Sequence, residues 1–167
     1  MTTKPPSTGK RIGAVGIGGA VLGIAAALVA KWEGVRYPVY PDPATGGAPY
    51  TVCYGHTGPE VKLGQTYTKE QCGILLEHDL AIAQAIVRKC IKAPMLEHQE
   101  ASLISATFNI GPRIVCGSTL QAMANAGNWV GACAQLSRWN KAAGRVMRGL
   151  TLRRMDERAV CEGRGAP

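Results

Sequence analysis

Apolar and polar positions divide this chain into three stretches with different periods. From Ile12 to Ala30, 19 residues run without a charge; Lys31 closes the run, and Lys4, Lys10 and Arg11 precede it. At 1.5 Å per residue this is about 28 Å of helix, close to one hydrocarbon core. Between Tyr37 and Thr57 the pattern breaks up, with Pro38, Pro41, Pro43, Gly46, Gly47 and Pro49 set among Tyr and Val. That composition predicts a small, irregular β-sheet with turns. From Thr68 the period becomes helical. Thr68-Lys69-Glu70-Gln71 has the form of a capping box, and Ile74, Leu75, His78, Ile82 and Ile86 fall on one face of a helix expected to run to Lys92 and stop near Pro94. Met95 to Ile110 reads as a second helix closed by Gly111-Pro112. Thr119–Ala126, Asn128–Arg138 and Thr151–Cys161 read as shorter helices, with Gly117, Gly127, Gly144 and Gly149 between them. The expected fold class is α+β and predominantly α-helical: a small β-sheet lobe, a long connecting helix, an α-helical lobe and an N-terminal segment of membrane-spanning length.

The composition of that N-terminal run is unusual for an anchor. Eleven of its residues are Gly or Ala and eight are Val, Ile or Leu. The large aliphatics contribute about −2 to −5 kcal/mol to insertion before any glycine cost. The run therefore directs export but holds a bilayer weakly. Positive charge ahead of it keeps the amino terminus in the cytoplasm. Three readings follow: a signal peptide cleaved at Ala25-Ala26-Ala27, a permanent anchor, or an uncleaved signal that arrests in the membrane and later escapes. The third is preferred, because cleavage would strip away the helix ahead of Glu33. The expected division is an arm and arrest segment over 1–30 and a single domain over 31–167.

The 167 residues carry a formal net charge of +8, which favours polyanionic surroundings such as a cell wall or anionic lipid. Nucleic acid is not expected, since no recognition helix, aromatic stacking motif or zinc-finger spacing is present. The six cysteines, Cys53, Cys72, Cys90, Cys116, Cys133 and Cys161, include no CxxC pair or ligand-like spacing, so no metal is expected. Beyond an export segment they suggest disulfides in an oxidising compartment, with the pairing left open; the alternative is six free thiols in a cytosolic protein.

Candidate chemistry gathers just after the apolar run. Glu33 follows Trp32, and Asp42 and Thr51 come at intervals of nine residues. A carboxyl at a helix end, walled by apolar groups, can remain a proton donor, whereas Asp42 in a Pro-rich polar turn stays ionised. Thr51 on a strand could hold a water against Asp42. Two carboxylates flanking a cleft are the minimum for glycosidic hydrolysis. The bland alternative is a helix end, a turn and a strand filler. His56 reads as structural, and Trp129 and Trp139 as helical core.

Ordered motifs support the sharper reading. Trp32-Glu33-Gly34-Val35-Arg36, Tyr40-Pro41-Asp42, Tyr50-Thr51-Val52-Cys53-Tyr54-Gly55-His56-Thr57-Gly58, Phe108-Asn109-Ile110-Gly111 and Ser137-Arg138-Trp139-Asn140 are followed by Gly149-Leu150, Arg153-Arg154, Glu157 and Cys161. Over residues 32–162 the chain resembles the phage-type lysozymes, glycoside hydrolase family 24, and among them the signal-arrest-release endolysins of lambdoid phages. It departs in the Asp42-to-Thr51 gap, eight residues long where many members have fewer, and the surplus Thr45–Pro49 is expected in a turn. The resemblance implies a lysozyme-like fold and inverting hydrolysis of the β-1,4 bond between N-acetylmuramic acid and N-acetylglucosamine in peptidoglycan, without cofactor. Inversion implies carboxyls about 6.5–9.5 Å apart. Glu33 matches the general acid, Asp42 the second carboxylate and Thr51 the water-orienting threonine; Asn109 and Arg154 match sugar contacts. The resemblance also implies a monomer held in the inner membrane with its domain in the periplasm. It is released when a holin, acting without direct contact, collapses the membrane potential. A redox variant, in which a Cys53 pairing blocks the site, is disfavoured because residues 12–30 hold no cysteine. The competing functions are an inactive membrane-tethered wall-binding or permeabilising protein, and a chitinase-like glycosidase.

Overall fold

The computed structural model describes residues 18–42 and 46–165. The arm 1–11, the first part of the apolar run at 12–17, residues 43–45 and residues 166–167 lie outside them. Helix α1 (Gly18–Glu33) leads into a three-stranded antiparallel sheet, β1 (Arg36–Asp42), β2 (Gly47–Cys53) and β3 (His56–Thr57), in the order β1-β2-β3. Helix α2 (Lys69–Cys90) crosses to a helical lobe of α3 (Glu97–Ile110), α4 (Thr119–Asn125), α5 (Trp129–Gln135), a two-residue-strand hairpin β4 (Lys141–Ala142) and β5 (Arg145–Val146), and α6 (Arg148–Cys161). The fold is mostly helical with small antiparallel sheets, as expected. The α1 helix spans the 30/31 position at which the domain was expected to begin.

The lobes have separate apolar centres. Val39, Val52, Val61 and the Cys53–Cys72 pair fill the small one. The large one is built around α3, whose residues from Ala101 to Thr107 are all buried. Against it α1 lays Val21, Ala25 and Val29, an i, i+4, i+8 stripe in a helix otherwise rich in Gly and Ala, and Leu28 is buried as well. Small residues on both helices allow close approach. Among the described residues no helix is long and apolar enough to cross a membrane.

Helix α2 begins with the predicted capping box: Gln71 N–H donates to the Thr68 hydroxyl, and the Gln71 side chain accepts from Thr68 N–H. Its predicted buried face is corrected. Cys72, Leu76, Leu80, Ala83 and Val87 are buried, while Ile74 and Ile82 are 66% and 51% exposed. The helix serves two cores, and the disulfide to Cys53 turns Cys72 inward. Ile82 and Ile86 are thereby left to wall the space between the lobes. Helix α6 starts at Arg148, earlier than the Thr151 expected, because Gly149 falls harmlessly in its first turn. The hairpin β4–β5 was not anticipated. It turns through Ala143 and Gly144 at φ +47° and +75°, both left-handed, without the Asn-Gly pair that would advertise it. The surplus in the Asp42–Thr51 gap is only partly a turn, since Gly47, Ala48 and Pro49 belong to β2.

All six cysteines are paired: Cys53–Cys72, Cys90–Cys116 and Cys133–Cys161. Each staples α2 or α6 to a neighbouring segment, closing loops of 19, 26 and 28 residues. Cross-links over such loops restrict the unfolded chain by about 3 kcal/mol each. Replacing Cys133 and Cys161 together by Ala is expected to lower unfolding free energy by about 2–4 kcal/mol in denaturant titration.

Candidate active site

Glu33 is the last residue of α1, and Gly34 ends the helix at φ +65°, a left-handed conformation that suits glycine after a helix terminus. The carboxyl opens onto a cleft of about 390 Å³ between the lobes, walled by Tyr54–Thr57 from the sheet, Ile82 and Ile86 from α2 and Phe108 and Asn109 from α3. Arg153 Nη1 makes a short bond to Glu33 Oε1, and Asn109 Nδ2 lies 3.5 Å from the same oxygen. Glu33 Oε2 accepts no side-chain bond among the described residues. One oxygen is therefore held, and the other is the one able to exchange a proton with a molecule in the cleft.

The support for Glu33 comes from α6. Arg153 Nε donates 3.2 Å to Glu157 Oε1, and Arg154 Nη2 donates 2.9 Å to that oxygen and 3.1 Å to Asn109 Oδ1. Arg154 Nε also lies 2.7 Å from Glu157 Oε2, a charge contact without hydrogen-bond alignment. Ser105 donates to Glu157 Oε1 at 2.8 Å, and Ser102 to its backbone carbonyl at 2.6 Å. Glu157 and Arg154 are wholly buried. Burial pushes the Glu157 carboxyl up and the Arg154 guanidinium down, each opposed by the attraction between them.

Arg154, expected as a sugar contact, is wholly buried and donates to the cleft residue Asn109. One expectation is corrected here: Glu33 is not walled by an apolar Trp32, because the Trp32 indole turns away and donates 3.1 Å to Asp156 Oδ2, leaving a guanidinium and an amide beside the carboxyl. Arg153, the direct partner of Glu33, carried no expectation of its own. The pair Arg153-Arg154 with Glu157 one turn on was its only sequence signal.

Asp42 and Thr51 lie together on the neighbouring hairpin. Thr51, 7% exposed, is paired across the sheet with Tyr40, two residues before Asp42, and Asp42 faces Gly47 across a register shift. Neither is among the residues lining the cavity around Glu33. Cys53, two residues on, turns into the small core with Cys72 and does not line the cavity either. Trp129 and Trp139 pack half-buried against the large core. Among the described residues no cluster of His, Cys, Asp and Glu could hold a metal ion.

His56, buried on the cleft wall, links the lobes: Nδ1 lies 2.7 Å from Asp79 Oδ2 on α2, and Nε2 lies 2.7 Å from Glu60 Oε1. Burial alone would lower its pKa, but hydrogen bonds and charge from Glu60 and Asp79 outweigh it, so the imidazole sits above its ordinary 6.5.

This is a two-lobed, lysozyme-like fold with a carboxylic acid at the end of its first helix, set in the cleft between the lobes. The chain belongs to the phage lysozyme family, whose model matches residues 30–157. It is 39% identical over 163 residues to the SAR-endolysin of Enterobacteria phage P21, covering 94% of this chain and 96% of that one. Among solved structures it resembles the endolysin from Escherichia coli O157:H7 phage FAHEc1, with a TM-score of 0.76 and 30% identity over 93% of this chain and 98% of that one. The active form of the P1 phage endolysin Lyz also matches at a TM-score of 0.76, with 26% identity over 93% and 97%.

The His56 cluster gives a prediction. Its raised pKa contributes stability that is fully present below the unfolded value of about 6.5 and is lost as pH rises through the folded one. A Cβ at Gly58 would overlap the Glu60 carboxylate and swing it off the ring. Gly58→Ala is expected to lower the His56 pKa in an NMR titration, and to destabilise the protein more at pH 5 than at pH 8.

Proposed function

We propose that this chain is an endolysin of the muramidase type, cleaving the β-1,4 bond between N-acetylmuramic acid and N-acetylglucosamine to lyse the bacterial host. The observation that carries the reading is Glu33 itself: a carboxyl lining the inter-lobe cleft, one oxygen tied to Arg153 and Asn109, the other without a side-chain hydrogen bond among the described residues. In this reading Glu33 Oε2 gives a proton to the leaving glycosidic oxygen. Asp42 draws the proton from a water that Thr51 orients, and the water attacks the opposite face of the sugar with inversion. Pairing of Tyr40 with Thr51 supports this, since it keeps the hydroxyl on the same hairpin as Asp42. Family membership and the P21 and P1 relatives support the substrate class.

Residues 12–30 serve in the same proposal as an arrest signal, with the amino terminus cytoplasmic and the domain periplasmic. The stripe Val21, Ala25 and Val29 supports it: one helix cannot sit in lipid and also bury these side chains in the core built around α3. Release from the bilayer is then the step that assembles the cleft, and the free enzyme acts as a monomer in the periplasm.

Purified protein on chloroform-treated Gram-negative cells tests the chemistry. Glu33→Gln is expected to lower clearing by about 10²–10⁴-fold, and NMR of the first product should show the inverted anomer. Equal clearing by both proteins, or a retained anomer, contradicts the mechanism. For the switch, replacing Gly16, Gly18 and Gly19 by Leu should keep the protein membrane-bound and delay lysis. Escape on the normal schedule sinks that part.

A further inference from the structure

The last turn of α1 is gripped by α6 at two points, and only one of them touches Glu33. Besides Arg153, the contact is Asp156, one turn further along the same face of α6. Its Oδ2 accepts the Trp32 indole N–H at 3.1 Å and lies 2.6 Å from Lys31 Nζ. Lys31 Nζ also sits 5.8 Å from the centre of the Trp32 ring. Lys31, Trp32 and Glu33 therefore engage α6 in consecutive order, with Asp156 holding the first two and Arg153 the third. A helix end free to twist or fray would carry Glu33 with it, because Gly34 follows at once and cannot restrain it.

We propose that Asp156 is a positioning residue for catalysis: a latch that fixes the last turn of α1 and so aims Glu33 into the cleft. The inference rests on Glu33 being the proton donor, and it adds a partner that the acid-base reading does not need. Asp156 is one-third exposed and Lys31 half exposed, so as a mere surface ion pair the contact would contribute little to stability. Its value lies in geometry, where a displacement of about 1 Å at a reacting group can cost 10²-fold in rate. Lys31 and Trp32 adjoin the apolar run, so the latch closes only on a helix that has docked against α3. The alignment of the acid is thereby tied to release.

Steady-state kinetics of the full chain on purified cell-wall glycan, for wild type, Asp156→Ala, Asp156→Glu and Glu33→Gln, test this, with thermal midpoints measured alongside. Asp156→Ala is expected to lower kcat about tenfold with KM changed less than twofold, and to remain folded well above the assay temperature. Asp156→Glu, which keeps a carboxylate for the indole and the ammonium, should recover most of the lost rate. Wild-type kcat in Asp156→Ala, or a loss that appears only in KM or only where the protein unfolds, overturns the latch. An active Glu33→Gln would overturn the acid assignment beneath it, a separate failure.

Discussion

The site depends on one buried ion cluster. Glu157 has no contact with water, and two guanidiniums and a serine hydroxyl surround its carboxyl. A charge in such a place persists only while its partners stay, since removing one leaves the others uncompensated at a cost of about 3–5 kcal/mol. That constraint makes Arg153 and Arg154 rigid, and each lends its outer end to the cleft, one to Glu33 and the other to Asn109. The catalytic candidate is thus oriented by charges it does not itself bury. Core serines at 102 and 105, odd choices for the middle of an apolar helix, belong to the same arrangement.

A second constraint concerns α1, which must satisfy two solvents in turn under the proposed switch. A Leu-rich segment would serve lipid well and would either overfill the space beside α3 or stay in the bilayer. Three buried larger aliphatics, Val21, Leu28 and Val29, among Gly and Ala suffice for the fold and leave a thin, weakly apolar back. The composition that makes the segment a poor anchor is the composition that lets it dock. Its closing residues are then no longer membrane-flanking but structural: Lys31 and Trp32 meet Asp156, and Glu33 meets Arg153.

Much of this is legible in the amino-acid sequence. Thr68 and Gln71 announce the start of α2 and Gly111-Pro112 the end of α3, because caps and breakers act locally, and Glu33 stands at a helix end as expected. The ordered motifs pointed to the lysozyme-like fold and to Glu33 and Asn109 at the cleft. What failed required knowing which surfaces meet. The face of α2 was misjudged because the helix serves two cores and a disulfide, and large aliphatics at Ile74 and Ile82 outshone the smaller Cys72 and Ala83 that are buried. The burial of Arg154 against Glu157 was not readable from a segment so rich in charge, since only the packing of α6 on α3 turns these side chains inward. The β4–β5 hairpin escaped because Ala143 occupies a position where Asn or Gly is usual.

Hydrogen exchange on the purified, active protein tests most directly the claim that a helix docked in the core aims the acid. The account predicts that amides of α1 from about residue 22 to 33 exchange as slowly as those of α3, opening only with global unfolding. Fast exchange throughout α1 in a sample with full cell-wall activity would contradict it.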